Sequence, residues 1–310
     1  MKNMPKVSID NPENVTQLHI FRNAGAGLSG TMKLTEFTNL NDFRVLDQDI
    51  TSLDMDMSNK QYVKFRADDN LLSGSLPEIS GQLNMKAFNV PRNQFTGPAP
   101  APPATSNFLF YDVSNNNLTN PSAPDFSSCP QIKGIFLHSS NFTGTCPNVD
   151  SNVYLEDFQL DRNSFTGAMP SITNNTALKW FDTANNNLTG EIVSTSTNVN
   201  MLEMWCNQND LIGSIPDLAN NTSMYTFACF KNNLTGWAGT TLPASLTRFI
   251  VNHNNFSAAV VEDLLAALVA AGANGGFVNV AGNGGMTVAA LGHKNTLTGD
   301  ARGNWTVIYN

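Results

Sequence analysis

The sequence predicts an α/β-type solenoid with a parallel concave β-sheet, an irregular convex side and a C-terminal helical cap. Three observations predict it. The string Asn-x-(Leu/Phe)-x-Gly recurs at a fixed period. An alternating apolar pattern precedes each copy. The chain also carries 42 asparagines in 310 residues, an excess that demands a structural cause.

The anchors Asn70, Asn93, Asn116, Ser140, Asn163, Asn186, Asn209 and Asn232 are spaced by 23 residues, with one step of 24. Upstream of each lies apolar-x-x-apolar-x-apolar-x-x-Asn, as in Leu155, Phe158, Leu160 and Asn163. The same frame fits Val15, Leu18, Ile20 and Asn23 at the start. Leu40, Phe43, Val45 and Gln48 follow, and Leu246, Phe249, Val251 and Asn254 come near the end. Residues 15–256 thus hold about eleven repeats. A fixed period of this length marks a stacked-coil architecture.

Elementary chemistry accounts for each part of the repeat. Apolar residues at repeat positions 4 and 6 make a short strand with one buried face. Stacking pairs these strands in parallel. The asparagine can turn inward and bond backbone groups that a tight bend leaves unpaired. The following glycine permits the bend. Each coil buries its core face only against its neighbours, so both ends need caps.

This pattern resembles the leucine-rich repeat family. Several copies continue as Gly-x-(Leu/Met/Ile)-Pro, at Leu76-Pro77, Met169-Pro170 and Ile215-Pro216. That tail is similar to the plant-specific class. The paired-cysteine cap of plant ectodomains is missing. The resemblance covers roughly four-fifths of the chain and speaks to fold more than to function.

Residues 1–14 are expected to form the N-terminal cap and 257–310 the C-terminal capping module. Ser257 starts a helix running to Ala273, with Leu264, Leu265, Leu268 and Val269 at helical spacing. Phe277–Val280 reads as a strand, Thr287–Leu297 as a second short helix and Trp305–Tyr309 as a final strand. This segment resembles the closing segments of leucine-rich repeat proteins encoded by bacterial and phage genomes. Pro98–Pro103 reads as an extended, polyproline-like stretch.

Several function classes are excluded. A net charge of −8 with 14% charged residues does not suit a phosphate-neutralising nucleic-acid binder. No apolar stretch of membrane-spanning length occurs, and Met1–Asp10 has no apolar signal-peptide core. There is no Cys-x-x-Cys metal spacing, no Gly-x-Ser-x-Gly elbow and no phosphate-cradling loop. His19 and His138 sit five coils apart, too far for one metal at ~4.8 Å per coil. No cofactor and no enzymatic activity are expected. Cys206 and Cys229 share repeat position 6 in successive coils and read as buried thiols. For Cys129 and Cys146, pairing stays open. Asp68 and Asp69 read as solvated surface or turn residues. Ten Asn-x-Ser/Thr sequons occur, several of them a by-product of the repeat.

Positions 3, 5 and 7 should point outward from the concave sheet. They hold Phe110, Phe136, Trp180, Trp205 and Phe230, with Asp112, Asp157, Asp161, Asp182 and Glu203 among them. Large aromatics where a solvated face should be polar mark a binding surface, and carboxylates accept hydroxyl or amine hydrogens. Lys64, Arg44 and Arg66 with Asp42 and Asp68 form a mixed-charge patch in the early coils. The expected function is non-catalytic recognition or adhesion. The C-terminal resemblance points to a phage virion surface component, on capsid or tail, binding a host-surface glycan or protein. The alternatives are a secreted or cell-surface ectodomain, and an assembly protein that uses the aromatic stripe as a subunit interface against virion proteins or copies of itself.

Overall fold

The computed structural model describes residues 9–22, 25–57, 61–119, 122–273, 275–299 and 305–309. Asn23, Gly303, the sequon at Asn304 and most of the expected N-terminal cap lie outside them. The chain divides into two compact units, Met1–Thr143 and Gly144–Asn310. Each is a parallel-strand solenoid.

In the first unit, strands Gln17–Phe21, Asp42–Leu46, Lys64–Arg66, Ala87–Asn89, Phe110–Asp112 and Gly134–Phe136 pair in sequence order. In the second, Asp157–Gln159, Trp180–Asp182, Glu203–Trp205, Thr226–Ala228, Arg248–Ile250, Phe277–Asn279 and Thr306–Ile308 do the same. Every pairing is in register from coil to coil, so each repeat position becomes a column. The strands are short because only positions 3 to 5 alternate before the bend.

Repeat position 4 carries rings where the family consensus has leucine. Phe43, Phe65, Phe88 and Tyr111 follow one another at centroid distances of 5.1, 5.7 and 6.0 Å. In the second unit, Phe158 meets Phe181 at 5.7 Å and Phe227 meets Phe249 at 6.0 Å. All are buried. In-register stacking brings like rings together every coil, within the range where aromatic pairs add to area burial.

The bend after each strand falls one residue before the asparagine, on residues that are not glycine. Asp69, Arg92, Asn115, Arg162, Asn185, Gln208, Lys231 and His253 all have φ between 52° and 56°. Left-handed backbone costs such residues roughly 1–2 kcal/mol. The ladder asparagine holds the bend. Asn209 Nδ2 donates to the carbonyls of Thr183, Cys206 and Asn207, while its Oδ1 accepts from Leu188 N–H. Asn186 and Asn232 repeat this set. Ser140 supplies a shortened version, donating to Val113 and accepting from Asn116 N–H. The glycine four residues after the asparagine, Gly190 or Gly213, has φ near +80° and makes a second turn rather than the first.

A second ladder was not read from the sequence. Asn175, Asn198 and Asn221 are fully buried on the far side of the coil. Each donates to two carbonyls of the preceding coil, at 2.8–3.0 Å. Together the two ladders absorb much of the asparagine excess. They also settle one sequon: Asn221 spends its amide inside. The other described sequon asparagines, at 14, 117, 141, 174, 187, 220, 233 and 255, are exposed.

The C-terminal segment follows the expected order. Helix α1, Ala258–Ala271, is capped by Ser257, whose hydroxyl accepts from Val260 N–H, and ends at Gly272 in the left-handed region. Helix α2, Val288–Thr298, starts at Thr287, which caps Ala290 N–H. Neither helix is long and apolar enough to cross a membrane. Cys206 and Cys229 are buried, and no disulfide forms among the described residues. Tyr111 hydroxyl donates to Pro100 carbonyl, fastening the proline stretch to the core.

Replacing Asn209 with alanine would strand Leu188 N–H and take one of two donors from each of the carbonyls of Thr183, Cys206 and Asn207. A loss of about 2–4 kcal/mol is expected in urea unfolding. Asn209→Ser should cost less, because Ser140 already serves in that place. Equal losses for both would mean that the ladder bonds are not what holds the bend.

Candidate functional site

The outward columns of the first unit are largely self-satisfied. Arg44 is bidentate on Asp42, Arg66 pairs with Asp68, and Arg92 with Asp69. Burial alone would push Asp42 up, but hydrogen bonds from Arg44 and His19 outweigh it and hold the carboxyl below its usual value. Asp68 is therefore a buried ion-pair partner at 7% exposure, not the solvated residue the sequence suggested. The arginines of the mixed-charge patch are thus paired with its aspartates, while Arg66 Nε and Asp68 Oδ1 are buried without a hydrogen-bond partner. Phe110 is exposed and Phe136 half-buried. They meet over Gly134, where a Cβ would lie 2.6 Å from one ring and 2.9 Å from the other. Asp112 accepts from the amide and hydroxyl of Ser114. Burial pushes its pKa to about 6.

The second unit gathers a different set. Asp157, Trp180 and Glu203 occupy position 3 of successive coils and are register partners. Asp182 and Trp205 are partners at position 5. Strand alternation points all five to the same face. Each is half-buried. Asp161 and Phe230 come at position 7 of coils further apart. Asp161 is buried beside Arg162, whose Nη1 lies 3.1 Å away, so it is not an open acceptor.

Glu203 is the hub. Trp205 Nε1 donates to its Oε2 at 2.9 Å, and the Tyr225 hydroxyl donates to its Oε1. The Trp180 side chain donates to the same hydroxyl. The Glu203 hydrogen bond raises the Tyr225 pKa, and burial adds to the rise. Both Glu203 oxygens are thus engaged by aromatic side chains, and the carboxylate orients rings rather than awaiting a ligand.

Trp205 does not stand free. Its ring lies under the Arg248 guanidinium, at 5.2 Å, two coils on. The coil between carries only Thr226 and Ala228 in those columns, and both are fully buried although they point outward. Small residues leave room for the indole to lie down and meet Arg248. Trp180 carries a cation of its own, with Lys179 Nζ 5.9 Å from its centroid and tied to Glu156 at 2.7 Å.

Two carboxylates flank Trp180. Asp157 accepts from Gln159 Nε2 at 2.6 Å, and Asp182 from Ala184 N–H at 2.8 Å. Neither has a cation within 4 Å among the described residues. Burial pushes Asp157 up to about 6; the Gln159 hydrogen bond opposes and the Glu203 charge assists. Burial also pushes Asp182 to about 7. Asp161 and Glu203 add repulsion, while Ala184 N–H and Arg162 pull the other way. Two desolvated acids, each only partly compensated, on one face of a stable scaffold are characteristic of a binding site more than of a core.

Sequence columns located the rings and acids. They missed Tyr225, whose position 2 lies before the alternating strand. They also missed Arg248, which stands in column 3 and was legible there.

No protein-family model matches the sequence, and no curated protein does. Solved structures share the fold. A plant peptide hormone receptor, RGFR1 in complex with RGF2, aligns over 94% of this chain and 51% of its own, with TM-score 0.76 and 21% identity. The leucine-rich repeat ectodomain of the receptor kinase GASSHO1/SCHENGEN3 from Arabidopsis thaliana aligns over 95% of this chain and 38% of its own, with TM-score 0.74 and 19% identity. An internalin, inlF of Listeria monocytogenes, aligns over 96% and 83%, with TM-score 0.58 and 14% identity. The chain spans about half or less of the two receptor structures. The fold is that of leucine-rich repeat proteins.

Titration of Asp182 supplies a test of the site's electrostatics. The carboxyl moves from 3.8 in the free residue to about 7 in the folded chain. The native state therefore holds an extra proton between those values. Its contribution to stability is greatest below about pH 4 and declines as pH rises towards 7. Asp182→Asn should remove that decline. After allowance for solvent screening, a gain of about 1–2 kcal/mol is expected at pH 8 and none at pH 4. Equal effects at both pH values in urea unfolding would refute the buried-carboxylate account.

Proposed function

We propose that the chain is a non-catalytic recognition module that binds a protein or peptide through the outward sheet face of its second unit. One observation carries this reading. Trp180 and Trp205 stand among Asp157, Asp182 and Glu203 on a face that a purely structural coil would fill with small polar residues. Aromatic anchors bordered by polar groups are the usual energetic centre of a protein interface. The complex of the plant peptide hormone receptor RGFR1 with RGF2 supports the class of activity, since that receptor shares the fold. Phe110 and Phe136 form a smaller aromatic patch on the first unit, and Phe230 borders the main one.

A secreted or cell-surface setting suits this reading. Eight sequon asparagines are exposed, and none lies in columns 3, 5 or 7 of the sheet. Attached glycans would leave the aromatic face bare. The virion setting, with a host-surface glycan or protein as ligand, rests on readings of the sequence alone. Intact mass of the protein from its native source separates the two. Added glycan mass is expected for the secreted setting, and the bare chain mass would favour the virion one.

The face itself is tested by selecting randomised twelve-residue peptides displayed on yeast against the whole chain. Trp180→Ala combined with Trp205→Ala should weaken the selected peptides at least tenfold while circular dichroism stays native. Undiminished binding by the folded double variant would remove this face as the recognition surface.

A further inference from the structure

We propose that the Trp180 site reads an arginine side chain of its peptide or protein partner, an assignment that rests on the recognition reading above. The argument is a donor–acceptor imbalance on one face of the second unit. Asp157 and Asp182 each use one oxygen, on Gln159 Nε2 and Ala184 N–H respectively, and the second oxygen has no partner among the described residues. Asn207 lies on the same face of its strand as Glu203 and Trp205. It is 4% exposed, and its Oδ1 has no hydrogen-bond partner. In their charged forms the two carboxylates accept and do not donate, as does Asn207 Oδ1. Asn207 Oδ1, as a buried acceptor without a donor, costs roughly 1–3 kcal/mol, and the free carboxylate oxygens beside the indole suit a group that brings donors.

The chain's own cations on this face are occupied. Lys179 is held by Glu156, Arg162 by Asp161, and Arg248 lies on the Trp205 ring. The donor therefore comes from outside. A net charge of −8 favours a basic partner over an acidic one. Burial raises both Asp157 and Asp182, and an incoming cation would relieve that penalty by restoring their charge.

Geometry selects guanidinium over ammonium. Asp157 is the register partner of Trp180 on one neighbouring coil, and Asp182 stands two residues along the same strand. The two carboxylates thus border the indole on two sides, about 5 and 7 Å from its backbone. A planar guanidinium lying on the ring presents donors along its edges towards both, whereas an ammonium is a compact point charge. The molecule already contains a guanidinium over an indole once, with Arg248 5.2 Å from the Trp205 centroid. That internal pair closes the Trp205 end of the face; the Trp180 ring carries Lys179 Nζ at 5.9 Å, an ammonium that Glu156 already holds and that an arriving guanidinium would displace from the ring.

The test uses peptides selected from the yeast-displayed library on the whole chain, then synthesised with each arginine replaced by citrulline. Citrulline keeps the shape and removes the charge. Selected peptides are expected to share an arginine whose replacement weakens binding at least tenfold. Asp157→Asn with Asp182→Asn should weaken the arginine peptide to the same level and abolish the difference between arginine and citrulline. Peptides that depend on Trp180 and Trp205 but tolerate citrulline would overturn the arginine assignment and leave the recognition face standing. Peptides indifferent to both tryptophans would overturn the two together. Because citrulline alters only the peptide, the assignment is decided even if the double asparagine variant fails to fold.

Discussion

The structure depends on one hydrogen-bonding arrangement, the asparagine that closes each bend. A coil of about 23 residues must turn sharply at the end of its strand, and it does so through a non-glycine residue in left-handed conformation. That conformation is costly, and the carbonyls just before the bend have acceptor capacity that the backbone does not fill. A side-chain amide inside the coil meets both difficulties. Its two hydrogens take three carbonyls, one from the preceding coil, and its oxygen takes an amide from that same coil. The bond is thus both a cap within a coil and a rivet between coils. Asparagine suits this role because it is short, carries both donor and acceptor, and has no charge to desolvate. Serine at 140 shows that a hydroxyl manages one donor and one acceptor, and that a solenoid tolerates an occasional lesser rivet.

Once the coils are riveted in register, the surface becomes a grid. Every outward position has a fixed neighbour on each side, and chemistry is decided by columns rather than by single residues. In the first unit, arginine and aspartate fall two apart or in adjacent coils and neutralise one another. In the second unit, the acids of columns 3 and 5 face indoles instead of cations. Desolvation, only partly compensated, raises their affinity for protons, and the same imbalance makes them receptive to a donor-rich ligand. Glu203 differs from Asp157 and Asp182 in that both its oxygens are taken by aromatic donors. It organises the rings, and the two aspartates are left to act.

The sequence showed the repeat, the direction of the strand residues and the identity of Ser257 as a helix cap, because these follow from local periodicity and local hydrogen bonding. The aromatic and acidic residues of the outward face were legible for the same reason: alternation alone decides which way a strand side chain points. The second ladder, at Asn175, Asn198 and Asn221, carries the same period but no glycine or leucine frame to draw notice. Asp68 was misread because an adjacent pair of acids looks solvent-facing until its arginine partner is placed.

By itself, the sequence determined the parallel stacked-coil fold, the side of the sheet each residue occupies and the order of elements in the C-terminal segment, since all are set by spacing along the chain. Tertiary structure decided what the outward residues do there. That Trp205 lies across Thr226 and Ala228 to meet Arg248, that Tyr225 bridges Trp180 and Glu203, and that Asp157 and Asp182 remain without a cation all depend on contacts between coils. Those contacts join residues 22 or more positions apart, and side-chain reach, volume and desolvation choose among them only after the columns are stacked.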